Sequence, residues 1–129
     1  MNPNPYASKS SNEKKAELKL ILMQSHLGQE RAVKKVDLIR KLWGDAAAND
    51  QSYNSRFDRS LRAMIEELNH EGGLVCSSPS SGYWWADSLD DGLPAAQSLI
   101  ARASVQMDNA RTLEKNIVKA YGGQMALMP

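Results

Sequence analysis

Residues 54–87 read NSRFDRSLRAMIEELNHEGGLVCSSPSSGYWWAD, and two different periodicities meet inside them. In the first half, Phe57, Leu61, Met64, Ile65 and Leu68 recur at spacings of three and four. That is the apolar stripe of an amphipathic helix. It predicts a helix over 52–70, with Asp50, Ser52 or Asn54 as candidate caps and Gly72-Gly73 as the stop. In the second half, residues 74–77 and 83–86 flank Ser78-Pro79-Ser80-Ser81-Gly82, which has turn composition. A hairpin follows. Strand side chains alternate, so Tyr83 and Trp85 face one way and Trp84 the other. One face closes the helical core, and at least two of the three aromatics are core residues. Cys76 falls in the first strand as a small buried hydrophobe.

Upstream, residues 34–43 carry Val36, Ile39, Leu42 and Trp43 at helical spacing, with Gly44 as terminator. The link over 44–51, GDAAANDQ, is small and polar. Residues 13–26 form a first helix with Leu18, Ile21, Leu22 and Ser25 on one side, Ser11 or Asn12 as cap and Gly28 at its end. Residues 1–12 are rich in Pro, Asn and Ser and read as a flexible arm. Downstream, 89–94 reads as a linker. Pro94 suits the first turn of a last helix that runs to Gly122-Gly123. The expected fold class is mainly α with a small β-hairpin: an arm (1–12), a helix-rich domain (13–88) and a long C-terminal helix (94–122).

The chain has 129 residues and a formal net charge of +1. Its 42% hydrophobic content suffices for one core. Cys76 is the only cysteine, so no internal disulfide forms, and a reducing cytoplasmic setting is the expectation. No apolar run is long enough to span a bilayer. Glycine-rich phosphate loops, zinc-ligand spacings and nucleophile-elbow patterns are missing from the sequence. Asp90-Asp91 reads as a helix-start charge pair, and His26 and His70 have no nucleophile beside them. The expectation is a protein that is not an enzyme and uses no cofactor or metal.

The charge is unevenly spread. Residues 31–62 hold eight Lys or Arg and four Asp, a local excess of +4. A local basic surface can bind phosphates on a nearly neutral chain. With about 100° per residue, the helix face opposite Phe57, Leu61 and Met64 carries Ser55, Arg59, Arg62, Ala63 and Glu66, with Arg56 on its flank. Arginine is the commonest bidentate reader of guanine, and serine can donate or accept. Ser55, Arg56, Arg59 and Arg62 are therefore candidate base readers. Tyr53 and Asn54 turn toward the core side. Lys14, Lys15, Lys34 and Lys35 are candidate phosphate contacts. A solvated face decorated by i, i+4 pairs such as Arg62–Glu66 is the competing explanation.

The helix VDLIRKLW (36–43), the helix DRSLRAMIEELNHEG (58–72) and the hairpin LVCSS…GYWWAD together resemble winged helix-turn-helix proteins of bacteria and their phages. The resemblance covers roughly residues 14–87. It implies double-stranded DNA binding, commonly in regulation of phage or mobile-element genes or in replication. It makes Ser78, Ser80 and Ser81 the tip of the wing. Two departures stand out: the long 44–51 link and a wing tip without Lys or Arg. Winged helices also serve as protein-interaction modules, which is the alternative. A third possibility, a replication accessory binding single strands, requires Trp84 or Trp85 to be exposed. In the last helix, Leu99, Ala103, Gln106, Ala110, Leu113, Ile117 and Ala120 follow a heptad-like seam. It is suited to a homodimer, or to packing back on its own domain.

Overall fold

The computed structural model describes residues 9–50 and 55–127. Residues 1–8 of the expected arm, the candidate cap Ser52, and Tyr53 and Asn54 lie outside the described residues. Among the described residues are five α-helices, a 3-10 turn and one hairpin: α1 (Lys9–Ser25), the 3-10 turn (Gln29–Arg31), α2 (Lys35–Trp43), α3 (Asp45–Ala48), α4 (Arg56–His70), β1 (Val75–Ser78), β2 (Gly82–Trp85) and α5 (Leu89–Leu127). The chain is mainly helical with a small two-stranded antiparallel sheet. It falls into two units divided between Ala95 and Ala96.

The core of the first unit joins Leu18 and Leu22 of α1, Leu38, Ile39 and Leu42 of α2, Ala47 of α3, and Leu61, Met64 and Leu68 of α4. Val75 and Trp85 of the hairpin complete it. Phe57 packs its ring 5.5 Å from Trp43, which joins the start of α4 to the end of α2. The expected stripe of α2 is corrected at one position. Leu38 is fully buried, whereas Val36 is 42% exposed. The buried set is thus i, i+1, i+4, and its phase is fixed by where α2 meets α1 and α4.

The small, polar link after α2 is helical over four of its residues. Asp45–Ala48 forms a helical turn, and Ala47 and Ala48 are buried. Alanines are small enough to let this turn sit against the core between α2 and α4. Residues 89–94 are not a linker: α5 already begins at Leu89. Ser88 starts it, with its hydroxyl accepting from the Asp91 N–H at 3.1 Å and its carbonyl accepting from the Gly92 N–H. That is N-capping chemistry. Pro94 therefore lies inside α5 rather than in its first turn, and Gly122-Gly123 do not end it. At the other end of the chain, α1 begins at Lys9, inside the expected arm.

The hairpin forms with the expected alternation, its strands displaced by one residue at their ends to Val75–Ser78 and Gly82–Trp85 from the expected 74–77 and 83–86. Val75 pairs with Trp85, Cys76 with Trp84, and Ser78 with Gly82. The outer edge of β2 does not face solvent unpaired. Val33 and Tyr83 exchange both backbone hydrogen bonds at 2.8 Å, Gly28 N–H donates to the Trp85 carbonyl, and Trp85 N–H donates to the His26 carbonyl. The 3-10 turn and its flanks thus act as a third, irregular strand that satisfies the edge. On the β1 side, the Asn69 amide accepts from Val75 N–H at 2.9 Å and donates to the Val75 carbonyl at 3.0 Å. One side chain at the end of α4 so replaces a backbone partner.

Trp85 joins the helical core on one face of the hairpin, and Trp84 is 1% exposed on the other. There the Trp84 Nε1–H donates to Asp91 Oδ2 at 3.0 Å, and Asp91 Oδ1 accepts from Gln29 N–H. Asp91 is therefore a structural acceptor linking the start of α5, the hairpin and the 3-10 turn. The single-strand reading needed an exposed tryptophan; both are buried.

Gly82 has φ +99°, a conformation that disfavours any side chain, and a Cβ there would strike the Val33 carbonyl. Gly82→Ala is expected to lower stability by about 1–3 kcal/mol through backbone strain and loss of the Val33–Tyr83 pairing. Urea unfolding followed by tryptophan fluorescence measures it.

Candidate nucleic-acid interface

Helix α4 presents the arginines because its apolar positions are taken by the core. Leu61, Met64 and Leu68 are buried, while Arg56, Arg59, Arg62, Ala63 and Glu66 lie on its outer side. Ser55 is placed differently from the other candidate readers. It is the N-cap of α4: its hydroxyl accepts from the Asp58 N–H at 3.2 Å, and the residue is 9% exposed. The cap comes one residue later than the latest of the expected ones. An N-cap side chain is turned back toward the first turn, so Ser55 does not share the arginine face.

The arginines differ in their surroundings. The Arg56 guanidinium lies 5.5 Å over the Phe57 ring. Arg62 sits 3.9 Å from Asp58, and Lys35 reaches the same carboxylate at 3.6 Å. The Arg59 guanidinium has no partner among the described residues and sits between the other two along the helix. Asp58, in the first turn of α4, was legible in the sequence only as one acid among basics. In the structure it holds together the start of α2 and the arginine face.

The hairpin tip joins the same surface. Lys34, the residue preceding α2, donates from Nζ to the Ser80 carbonyl. Ser78 Oγ accepts from the Ser81 N–H at 2.9 Å and lies 3.5 Å from Ser80 Oγ, while Ser81 Oγ accepts from Gln29 Nε2. A chain of contacts therefore runs from the tip serines through Lys34 and Lys35 to Asp58 and Arg62. The Lys34 and Lys35 candidates lie along it. Lys14 and Lys15 do not: Lys14 donates to the Leu42 carbonyl and pairs with Glu17, and Lys15 pairs with Glu71 at 2.5 Å and Glu67 at 3.2 Å. Their charges are spent on tying α1 to α2 and α4.

Beside Lys34 lies a depression of about 550 Å³ lined by His26, Arg31, Lys34, Asp37, Arg40 and Lys41, among others. The His26 ring bridges it: Nδ1 donates to the Arg31 carbonyl at 2.7 Å, and Nε2 accepts from the Lys41 ammonium at 2.8 Å. Arg40 is held by Asp37 and Asp45. This basic pocket is not apparent from spacing, because its residues come from the end of α1, the 3-10 turn and α2. Only the clustering of Lys and Arg over 31–41 hints at it.

Among the described residues, no group of His, Cys, Asp and Glu could hold a metal ion. No described helix is long and apolar enough to cross a membrane. No protein-family model, curated protein or solved structure matches the chain significantly.

Among the described residues, three groups hold their protons more tightly than usual. Burial, then Asp58, pushes the Tyr83 hydroxyl up, with Arg62 opposing. Burial, then Asp91, pushes the Cys76 thiol up. Hydrogen bonds to Glu71 and then Glu67 push the Lys15 ammonium up. A folded-state pKa above the unfolded one gives stability that is complete below the unfolded pKa and lost as pH rises through the folded value. Stability should hold to the ordinary thiol value of 9.0 and fall through and above the ordinary tyrosine value of 10.0. Tm measured from pH 7 to 11 should show this decline, and Tyr83→Phe should make it shallower.

Proposed function

We propose that residues 13–88 form a winged helix-turn-helix that binds double-stranded DNA. In this reading α2 and α4 are the helix-turn-helix, with α3 filling its long turn, and β1–β2 is the wing. The observation that carries it is the Arg56–Arg59–Arg62 face, with the Arg59 guanidinium, unpartnered among the described residues, at its middle. A recognition helix reads base edges with the N-terminal part of its exposed face, and these arginines occupy the first two turns of α4. Glu66 and Glu67 come later, where a helix leaves the groove.

The surroundings supply phosphate contacts, which position a protein without reading sequence. Lys34 and Lys35 stand at the start of α2, whose first turn has no side-chain cap. Free backbone N–H groups at a helix N-terminus favour phosphate. The pocket lined by Arg31, Lys34 and Lys41 extends the basic surface. The wing tip offers serine hydroxyls and backbone rather than charge, so its contribution is hydrogen bonding to the sugar-phosphate chain. A role in transcription of phage-type or mobile genes is the setting in which such a module would act.

Selection of bound duplexes from a random pool at two salt concentrations tests the reading. A recovered motif supports it; a chain that retains no duplex at low salt refutes it. Against the recovered motif, Arg59→Ala should lose about 1–3 kcal/mol of discrimination at one base pair. Lys35→Ala should weaken all duplexes alike and reduce the salt slope by about 0.9.

A further inference from the structure

In the second unit, every side chain from residue 96 to residue 121 of α5 is exposed. Leu99, Ile100, Met107, Leu113, Ile117, Val118 and Tyr121 are each 45–65% exposed. At about 100° per residue, Leu99, Ala103, Gln106, Ala110, Leu113, Ile117 and Ala120 share one face, and Ile100, Met107, Val118 and Tyr121 widen it along one edge. Asp108, Lys115 and Lys119 take the opposite side. A lone helix with this stripe leaves an apolar surface in water that a folded chain ordinarily covers.

We propose that a second copy of this chain covers it, through an antiparallel pairing of residues 96–121. The sizes along the seam carry the argument. Packed antiparallel, large residues meet small ones or fill the ends: Leu99 against the partner's Ile117, Ala103 against the partner's Leu113, and Gln106 against the partner's Ala110. Each layer recurs across the two-fold axis, as an isologous interface requires. Ala96 and the partner's Ala120 close each end. Beside the seam, Met107 faces the partner's Met107, Ile100 lies along the methylene stem of the partner's Glu114, which shares this edge, and Arg102 faces the partner's Asn116, so no like charges are opposed. A parallel pair would stack Ala103, Gln106 and Ala110 each on its own copy. That leaves about 10 Å of helix without a large apolar side chain, and such voids are costly.

The area fits a dimer of moderate strength. Half-exposed large side chains offer on the order of 80–100 Å² each, so the seam and its edge bury roughly 600 Å² per copy, about 1,200 Å² in the pair, the lower bound of stable interfaces. The pairing requires no nucleic acid and is independent of the DNA-binding reading.

Sedimentation equilibrium of the full chain without DNA tests the proposal at about 100 μM, above the micromolar Kd reached by interfaces of modest area. The expected mass is twice the 14.3 kDa of one chain. Leu113→Glu should return the single-chain mass while leaving the tryptophan fluorescence of the first unit unchanged. Orientation is read by disulfide trapping. Gln106→Cys mixed with Ala110→Cys should give a mixed disulfide, identified by mass, whereas Ala110→Cys alone should give little. A wild-type chain that stays monomeric, because the stripe packs on its own chain or takes another protein, overturns the proposal. So does a Leu113→Glu chain that stays dimeric, or efficient self-linking of Ala110→Cys.

Discussion

A two-stranded hairpin with a tryptophan on each face must be covered on both sides. Trp85 and Trp84 are neighbours in β2 and point in opposite directions, yet both are buried. This constraint organises the first unit. Trp85 demands the helical core of α1, α2 and α4. Trp84 demands a second cover, and Asp91 at the start of α5 supplies both a hydrogen-bond acceptor and a fixed position for that cover. The indole N–H could not be left without a partner inside the protein, since an unsatisfied buried donor costs roughly 1–3 kcal/mol.

The same strand also decides where the cationic residues go. Pairing of Tyr83 with Val33 brings the residue after Val33, Lys34, to the hairpin tip. Lys35 follows at the start of α2 and meets Asp58 of α4. Surface ion pairs of this kind contribute little energy by themselves. Their consequence is geometric: three separate stretches of sequence contribute to one basic surface. Asp58 tempers the charge there, while the Arg59 guanidinium has no partner among the described residues. The proposed DNA-binding role rests on that asymmetry.

The cations outside this surface show how position, more than residue type, divides roles. Lys14 and Lys15 look as available in the sequence as Lys34 and Lys35. Packing of α1 places them against the Leu42 carbonyl and the Glu67–Glu71 pair, where they join helices. His26, ordinary by spacing, becomes the link between Lys41 and the Arg31 carbonyl.

Periodicity alone determined that an amphipathic helix with arginines outward lies within 52–70, where the structure has Arg56–His70, that a hairpin follows, and that its two tryptophans point to opposite faces. These follow from 3.6- and 2-residue repeats, which are local and survive any arrangement of the elements. Tertiary structure decided the rest. It rotated α2 so that Leu38 and not Val36 is buried, folded the alanines of 45–48 into a helical turn, and turned the expected linker at 89–94 into the start of α5. It also made Ser55 a cap rather than a surface residue, and separated the lysines that join helices from those beside the arginine face. The phase of α2 and the division of the lysines depend on contacts between residues far apart in sequence, which no local pattern encodes, whereas the Ser55 and Ser88 caps are contacts three residues long whose choice among neighbouring candidates the packing made. The stretch that decides the fold was legible; the surface it helps to build was not.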